Sequence, residues 1–160
     1  MEEGGDNGLA FGDGPDQEKL RAIYQYWDSK RAGREMPSRA DLDPADLKPH
    51  LPQIVLLDVV QDPLRFRYRL VGTEVTRVRR GTSKSDPTGT YVDEVTHHQG
   101  TSAILAHYRR VVLERKPSLD HGTYTPDPER PWARFTRLVM PLSKNGTTVD
   151  MLMVMLVPVR

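Results

Sequence analysis

The sequence predicts an α+β domain in which a five-stranded antiparallel sheet has helices on one face and an N-terminal helix on the other. Three observations predict this arrangement. The apolar run at 54–60 precedes an alternating run at 65–71, which is the pattern of a β-hairpin. Residues 101–115 have apolar side chains at helical spacing. The final run, 147–159, is apolar on both faces, which is typical of a central strand covered on both sides.

Length, charge and cysteine content limit the classes of function. The 160 residues include 23 Lys and Arg against 22 Asp and Glu, so the chain lacks the basic excess typical of nucleic-acid binding. It contains no cysteine, which excludes disulfides, thiolate metal sites, thiol catalysis and thiol–flavin photochemistry. No apolar run approaches the ~20 residues of a membrane-spanning helix, and the N-terminus has no signal sequence. We expect a cytoplasmic protein.

The N-terminal third divides into a tail, a helix and a linker. Residues 1–16 are acidic and glycine-rich and are predicted to be disordered, whereas 17–53 should form a helix and a linker. In the linker, Asp43 and Pro44 predict the start of a short helix. One face of the N-terminal helix is apolar, and it either packs on its own domain or joins two subunits. The candidates for a dimer interface are Leu20, Ile23, Tyr24 and Trp27.

Residues 54–160 are predicted to form the core. Strict alternation at 65–71 should place Phe66, Tyr68 and Leu70 on one face of the strand and the arginines on the other. A capped helix should follow from Thr73 to Arg80, and a short helical or extended piece should lie near 91–95.

Three strands are predicted after the long helix, at 118–125, 132–142 and 147–159. Asn145-Gly146 predicts a tight hairpin between the last two. Because the last strand is apolar on both sides, we expect the long helix to cover one face of the sheet and the N-terminal helix the other.

Four phrases of the sequence carry a family resemblance. With the predicted order of elements, they resemble a bacterial group of single-domain PAS proteins common in alphaproteobacteria, over roughly Leu20 to Pro158. The resemblance implies a PAS-like sensory or interaction domain that signals through a homodimer or an unidentified partner protein. The phrases are YWDSKRAGREMPSRADLDPADLKPHLPQIVLLDVV, RFRYRLVGTEV, TGTYVDEV and LVMPLSKNGTTVDMLM.

The resemblance also implies a small ligand between the sheet and the long helix. Tyr68 or Tyr108 could supply the polar group that such a pocket needs. The alternative is a ligand-free interaction adaptor in which the same side chains fill a solid core, since methionines adapt to either role. The candidate pocket residues are Tyr68, Leu70, Val75, Tyr91, Ile104, Tyr108, Leu138, Met140, Met151 and Met153.

The arginines between 65 and 80 could bind phosphates, but a solvated strand face with acidic neighbours explains them better. The aromatic residues of this strand alternate with the arginines and should face the core. Arg69 and Gly72 belong to the family-like phrase, and we expect structural roles for them. Arg69 should reach a carboxylate such as Asp58 or Asp93.

Haem, zinc and enzymatic sites are all disfavoured. His107 lies on the long helix about 100° from the centre of its apolar face, whereas a haem ligand should point inward. His97 and His98 are neighbours, which is more typical of a loop than of a zinc site. With no cysteine, thiol–flavin chemistry is excluded, and no nucleophile signature or phosphate-binding loop indicates an enzyme. The ligand or cofactor is left unidentified.

Overall fold

A computed structural model describes residues 8–78, 87–95, 101–124 and 133–159 of the chain. The predicted end of the helix at Arg80 and the pair His97-His98 lie outside the described residues. The helices are α1 (Pro15–Lys30), α2 (Pro44–Leu47), α3 (Thr73–Val78), α4 (Val92–Val95) and α5 (Thr101–Glu114), with short 3-10 helices at Arg39–Asp41 and Lys48–Gln53. The strands are β1 (Ile54–Val60), β2 (Arg65–Val71), β3 (Ser118–Tyr124), β4 (Ala133–Leu142) and β5 (Met151–Pro158).

The strands form a single five-stranded sheet in the order β2-β1-β5-β4-β3. All neighbouring strands are antiparallel. The methionine-rich β5 is therefore the central strand, as its two apolar faces predicted. The predicted α+β fold, with a helix on each side of a five-stranded antiparallel sheet, is confirmed.

Two contacts of β4 identify the two faces of the sheet. Gln17 of α1 donates its side-chain amide to Thr136 Oγ1 at 3.2 Å. The next residue, Arg137, donates to His107 of α5 at 3.0 Å. Because successive side chains of a strand point to opposite sides, even-numbered residues of β4 face α1 and odd-numbered residues face α5. We call these sides the α1 face and the α5 face.

The apolar side of α1 packs on the sheet of its own chain. Its four inward side chains, the predicted dimer contacts, are at most 2% exposed. Trp27 Nε1 donates to the carbonyl oxygen of Pro141 at 2.8 Å, which ties the helix to β4. A dimer through this side of the helix would therefore require that two chains exchange α1. The predicted dimer interface stays a prediction in this exchanged form only. The four side chains are Leu20, Ile23, Tyr24 and Trp27.

The segment before α1 is also packed against the domain. The ring of Phe11 lies 6.0 Å from that of Tyr24, and the amide of Gly12 donates to the side chain of Gln17. The helix begins at Pro15, a residue that suits the first helical position. The predicted disordered tail through residue 16 is therefore too long, because Phe11 has an apolar surface on which to pack.

A bulge in β2 overturns the expected strict alternation of that strand. Leu57 pairs with Tyr68 but Leu56 pairs with Leu70, so Arg69 is the extra residue. Leu56 and Leu57 are consecutive and point to opposite faces of the sheet. Leu70 therefore lies on the face opposite to Tyr68, rather than beside it as the alternating pattern predicted.

The β4–β5 connection is longer than the tight hairpin over residues 143–146 that the sequence predicted. The last pair is Leu142 with Met151, so the connection runs from residue 143 to residue 150. Asn145 Oδ1 accepts from the backbone amides of Thr147 and Thr148 and so holds the loop together. The Asn-Gly signal correctly located a turn, but the asparagine side chain organises a wider loop.

Two local features of the fold agree with their sequence patterns. Asp43 accepts from the Ala45 amide and caps α2, as predicted. Gly72 lies where β2 leads into α3, and a Cβ there would lie only 2.2 Å from the carbonyl oxygen of Leu51. This close backbone approach requires glycine.

Candidate functional site

A histidine and an arginine form a buried polar pair on the α5 face. His107, Tyr108 and Val111 are the buried side chains of α5, with His107 only 1% exposed. Leu105 and Val112, by contrast, are only partly buried. The buried side of α5 is thus centred nearer to residues 107 and 111 than the sequence predicted. The prediction that His107 points away from the core is wrong, because His107 and Val111 are one turn apart and share the inward side.

The two side chains are joined by a hydrogen bond that defines the tautomer of the histidine. Arg137 Nε donates to His107 Nδ1 at 3.0 Å. Since Nδ1 accepts, the proton of the neutral ring is assigned to Nε2. His107 Nε2 is buried and has no hydrogen-bond partner among the described residues. The backbone of Ser118 lies near the ring and raises the pKa of His107.

Burial keeps this histidine uncharged at neutral pH. Removal of the ring from water, together with the nearby Arg137 charge, lowers the pKa of His107 from 6.5 to about 4. The Asp120 carboxylate opposes this shift but does not overcome it. The pair therefore consists of a neutral imidazole and a cationic guanidinium.

Arg137 keeps its charge in a nearly water-free position. Its side chain is 6% exposed, and Asp120 Oδ2 lies 3.9 Å from Nη2, beyond hydrogen-bond distance. Asp120 is itself 42% exposed and also lies 3.8 Å from Arg110. One half-exposed carboxylate is therefore shared between two guanidinium groups.

Strand β3 leaves room for the guanidinium. Gly122 pairs with Phe135, on the same face as Arg137. A Cβ on Gly122 would lie 2.9 Å from Arg137 Nη1. The absence of a side chain at this position thus allows Arg137 to reach its buried position.

Aromatic and aliphatic side chains form the rest of the α5 face. The rings of Phe66 and Tyr108 meet edge to face with centroids 5.4 Å apart. Phe66 lies on β2 two residues before Tyr68, so both rings face α5. The face therefore combines an aromatic region near β2 with the His107–Arg137 pair near β3 and β4.

The predicted pocket residues do not form one cluster. Tyr68 and Tyr108 lie on the α5 face, and Ile104 shares the inward side of α5, one turn before Tyr108. Val75 belongs to α3 and is partly buried. Tyr91 lies at the outer edge of β2, with the Arg65 guanidinium 3.8 Å above its ring.

The other five predicted pocket residues lie on the α1 face. Met140 pairs with Met153, and the bulge brings Leu70 to this same side. Central strands are apolar on both faces, and apolarity alone cannot assign a side chain to one helix or the other. These residues therefore lie on the side of the sheet opposite to α5. They are Leu70, Leu138, Met140, Met151 and Met153.

The arginines of β2 have acidic partners. Arg65 donates two hydrogen bonds to Asp93, and these hold the pKa of Asp93 below its usual value. Arg67 and Arg69 both donate to Asp58, whose side chain is 13% exposed. Both arginines can reach this carboxylate because Asp58 lies opposite Arg67 in the strand pairing and Arg69 is only two residues further along β2. The described part of β2 is thus an ion-pair network and not an open cationic strip.

The sequence contained a signal for the His107–Arg137 pair that was missed. In the run ARFTRLVMPL, Arg137 is flanked by apolar residues at every other position, which is unusual for a solvated strand face. His107 stands at i+3 from Ile104 and at i−4 from Val111. A buried arginine opposite a helix requires a polar partner, and His107 is at that position.

Candidate metal sites and membrane helices were also sought in the described ranges. Among these residues, no group of three His, Asp or Glu side chains could hold a metal ion. No helix within them is both long and apolar enough to cross a membrane.

The fold is that of a small α+β domain, with a buried polar pair beneath the long helix. The sequence profile of the PAS domain matches residues 16–156, nearly the whole chain, and the protein therefore belongs to the PAS domain family. The resemblance found in the sequence is confirmed. A comparison with curated proteins gives no match. PAS domains have sensory, signalling or interaction roles in general and are not typically catalytic.

Proposed function

We propose that this PAS domain binds a small ligand between α5 and the sheet and transmits the bound state through dimerisation or a partner protein. The observation that carries the proposal is the buried His107–Arg137 pair. A buried donor without a partner destabilises a protein by about 1–3 kcal/mol. Such a group is more typical of a binding site than of a passive core. We also propose a cytoplasmic location, which the absence of cysteine fits.

Ligand retention can be tested with matched arginine variants. Protein purified gently from its natural host would be analysed by native mass spectrometry. We expect a small-molecule adduct on the wild type, loss of that adduct in Arg137→Gln, and retention in Arg134→Gln. Arg134 lies on the same strand but is exposed, so it controls for the loss of a positive charge. Absence of an adduct on the wild type would contradict the proposal.

A ligand-free adaptor is the second candidate. It is favoured by the near-complete enclosure of the pair by the chain itself, with Arg137 5% and His107 1% exposed. In that case the pair would serve to fix the position of α5 on the sheet. Native mass spectrometry separates the two candidates, because the adaptor would carry no small molecule yet would still co-purify with a partner protein.

Dimerisation by exchange of α1 has a direct test, because the chain has no cysteine of its own. The side chains of Gln17 and Thr136 meet at 3.2 Å, so cysteines at these positions would lie within reach of a short bis-maleimide crosslinker. Treated with this reagent, Gln17→Cys/Thr136→Cys would be crosslinked within one chain if α1 packs on its own sheet. An exchanged helix would instead give a covalent dimer on a non-reducing gel.

The single variants Gln17→Cys and Thr136→Cys are the controls. Either of them can form a dimer only through a random surface contact. A monomeric double variant, together with a monomeric mass for the unmodified chain in solution, would rule out α1 exchange.

A further inference from the structure

The linker that follows α1 is anchored to the domain from Met36 onward. Met36 and Leu42 are buried, and the carbonyl oxygen of Pro37 accepts from the amide of Ser143 at 2.9 Å. By contrast, none of the side chains of residues 31–35 is buried. The backbone of residues 31–35 is therefore the place where α1 can pivot relative to the sheet.

This stretch contains a turn with an unfavourable backbone conformation. Ala32 and Gly33 have φ angles of 51° and 84°, which lie in the left-handed region. Glycine adopts this region readily, whereas alanine is disfavoured there because its Cβ lies too close to the following carbonyl oxygen. Strain in a short hinge favours exchange of the element that the hinge connects. The turn therefore favours release of α1 unless other contacts oppose it.

The side chain of Arg34 makes contacts that hold this turn closed. Its guanidinium donates to the carbonyl oxygens of Arg31 at 2.8 Å and Lys30 at 2.9 Å, at the end of α1, where carbonyls lack partners within the helix. It also donates to Asp41 Oδ2 at 2.8 Å. Hydrogen bonds from the Ser38 amide and from Arg34 lower the pKa of Asp41, so this carboxylate is charged at neutral pH. Arg34 thus ties the end of α1 to the anchored linker.

The sheet does not depend on α1 for its backbone hydrogen bonds. Within the described residues, each ladder of the sheet joins one strand to another. The helix is held to the sheet by apolar packing and by side-chain hydrogen bonds such as those from Gln17 and Trp27. The helix can therefore separate while the sheet stays paired.

We propose that residues 31–35 are the hinge on which α1 separates from its own sheet, and that the Arg34 side chain is the latch that keeps this hinge closed. The inference rests on the proposed dimerisation through α1 for its biological role. In the open state, the apolar side of α1 would be available to another chain. A second copy of this chain fits best, because its sheet offers the same apolar surface that α1 has left.

Hydrogen exchange of the Trp27 indole, followed by NMR on the full chain, measures the opening of α1 without requiring a dimer. The indole N–H is buried against the carbonyl oxygen of Pro141 and can exchange only when α1 separates from the sheet. The amides of β5, the central strand, report global unfolding. We expect the indole to be at least about tenfold less protected than the slowest β5 amides. Equal protection would overturn the inference, because α1 would then leave only when the whole domain unfolds.

Two variants test the latch and its location. Arg34→Gln should lower the protection of both the indole and the β5 amides about fivefold, since the latch is lost in local opening and in global unfolding alike. Arg65→Gln is the matched control, because it removes an ion pair of similar exposure on the edge strand β2. This contact is kept when α1 opens, so Arg65→Gln should lower the protection of the β5 amides alone.

The hinge itself is tested at Gly33. A Cβ at this position would have no atom within 4 Å, so the cost of Gly33→Ala comes from the backbone conformation. We expect Gly33→Ala to lower the protection of the indole at least about fivefold. Gly33→Asn should have a smaller effect, because asparagine tolerates the left-handed region better. Unchanged indole protection in both Arg34→Gln and Gly33→Ala would overturn the inference.

The mass in solution separates this inference from the proposed dimerisation. If the two variants lower the protection of the indole but every protein stays monomeric, the hinge and latch stand and dimerisation through α1 fails. If the crosslinked double variant is a dimer but neither variant changes the protection of the indole, dimerisation stands and the hinge and latch fail.

Discussion

The two faces of the sheet are covered by helices of similar length but differ in what they bury. Beneath α1, the buried side chains of the helix are large and apolar, and the rings of Tyr24 and Trp27 stack on each other. The α5 face has an aromatic region near β2 and, near β3 and β4, a buried guanidinium next to a neutral imidazole. The first face is a conventional core, whereas the second holds polar groups that remain incompletely satisfied among the described residues.

This difference suggests that the α1 face contributes mainly to stability and the α5 face to function. Large apolar side chains stabilise a domain through the area they remove from water, and nothing further is needed to explain the α1 face. A buried charge destabilises unless it is well paired, so its presence on the α5 face requires another reason. We therefore expect changes on the α1 face to affect folding, and changes on the α5 face to affect binding at least as much as folding.

The largest effect is expected from Trp27→Ala. Loss of a fully buried indole and of its hydrogen bond to Pro141 should lower the free energy of unfolding by roughly 4 kcal/mol. Urea denaturation followed by circular dichroism would measure this change. Leu113→Ala is the matched control on α5, because Leu113 is 77% exposed, and its effect should be within about 0.5 kcal/mol. Similar values for the two variants would contradict the assignment of α1 to the core.

A pH-dependent loss of stability should be specific to the α5 face. In the folded state the pKa of His107 is lowered to about 4, while an unfolded histidine titrates near 6.5. The unfolded state therefore binds more protons between these values, so stability is full above about pH 6.5 and declines toward pH 4. The loss should total about 3 kcal/mol.

The measurement is the difference between the stability–pH profiles of the wild type and His107→Asn. Acidic side chains titrate in both proteins, so their contribution cancels in the difference. Parallel profiles would mean that His107 is not held neutral by burial.

Removing one partner of the pair should destabilise the protein more than replacing both partners. Arg137→Gln should lower the free energy of unfolding by about 2 kcal/mol, because it weakens the contact to His107. The double variant His107→Leu/Arg137→Met should lie within about 1 kcal/mol of the wild type, since apolar replacements remove the desolvation cost of both groups. A double variant that is less stable than both single variants would show that the pair is itself stabilising.

The smallest effect is expected from Arg69→Ala. This side chain is 57% exposed and shares Asp58 with Arg67, so its loss should change stability by at most about 1 kcal/mol. Chemical denaturation at low and high salt would show a difference that shrinks with added salt. A large or salt-independent loss would mean that Arg69 does more than take part in an exposed ion pair.

Most of the fold could be predicted because it follows from local patterns. Alternation in β2, helical spacing in α1 and α5, and the Asp43 cap are properties of neighbouring residues. The errors occurred where a side chain or a strand pairing competed with the local pattern. The bulge at Arg69 depends on its pairing with β1, and the wide loop at Asn145 depends on what that side chain binds.

The candidate site was only partly predictable for the same reason. Tyr68 and Tyr108 were assigned to the α5 face correctly, because each has an apolar neighbour at the expected spacing. Met140 and Met153 were predicted to line the pocket, although they lie on the α1 face. In a central strand both faces are apolar, so neighbouring residues do not indicate to which side an apolar side chain points. His107 was placed on the wrong side because the apolar side of α5 was estimated with Leu105 and Val112 included, and both are only partly buried.

By itself, the sequence determined the class of fold, the central position of β5 and the family, because these depend on periodicities and phrases that neighbouring residues carry. Tertiary structure decided on which face of the sheet each core residue lies. It also decided that His107 contacts Arg137. Those two residues are thirty positions apart. Local patterns indicate that each of the two is buried, but their contact depends on how α5 lies across β3 and β4.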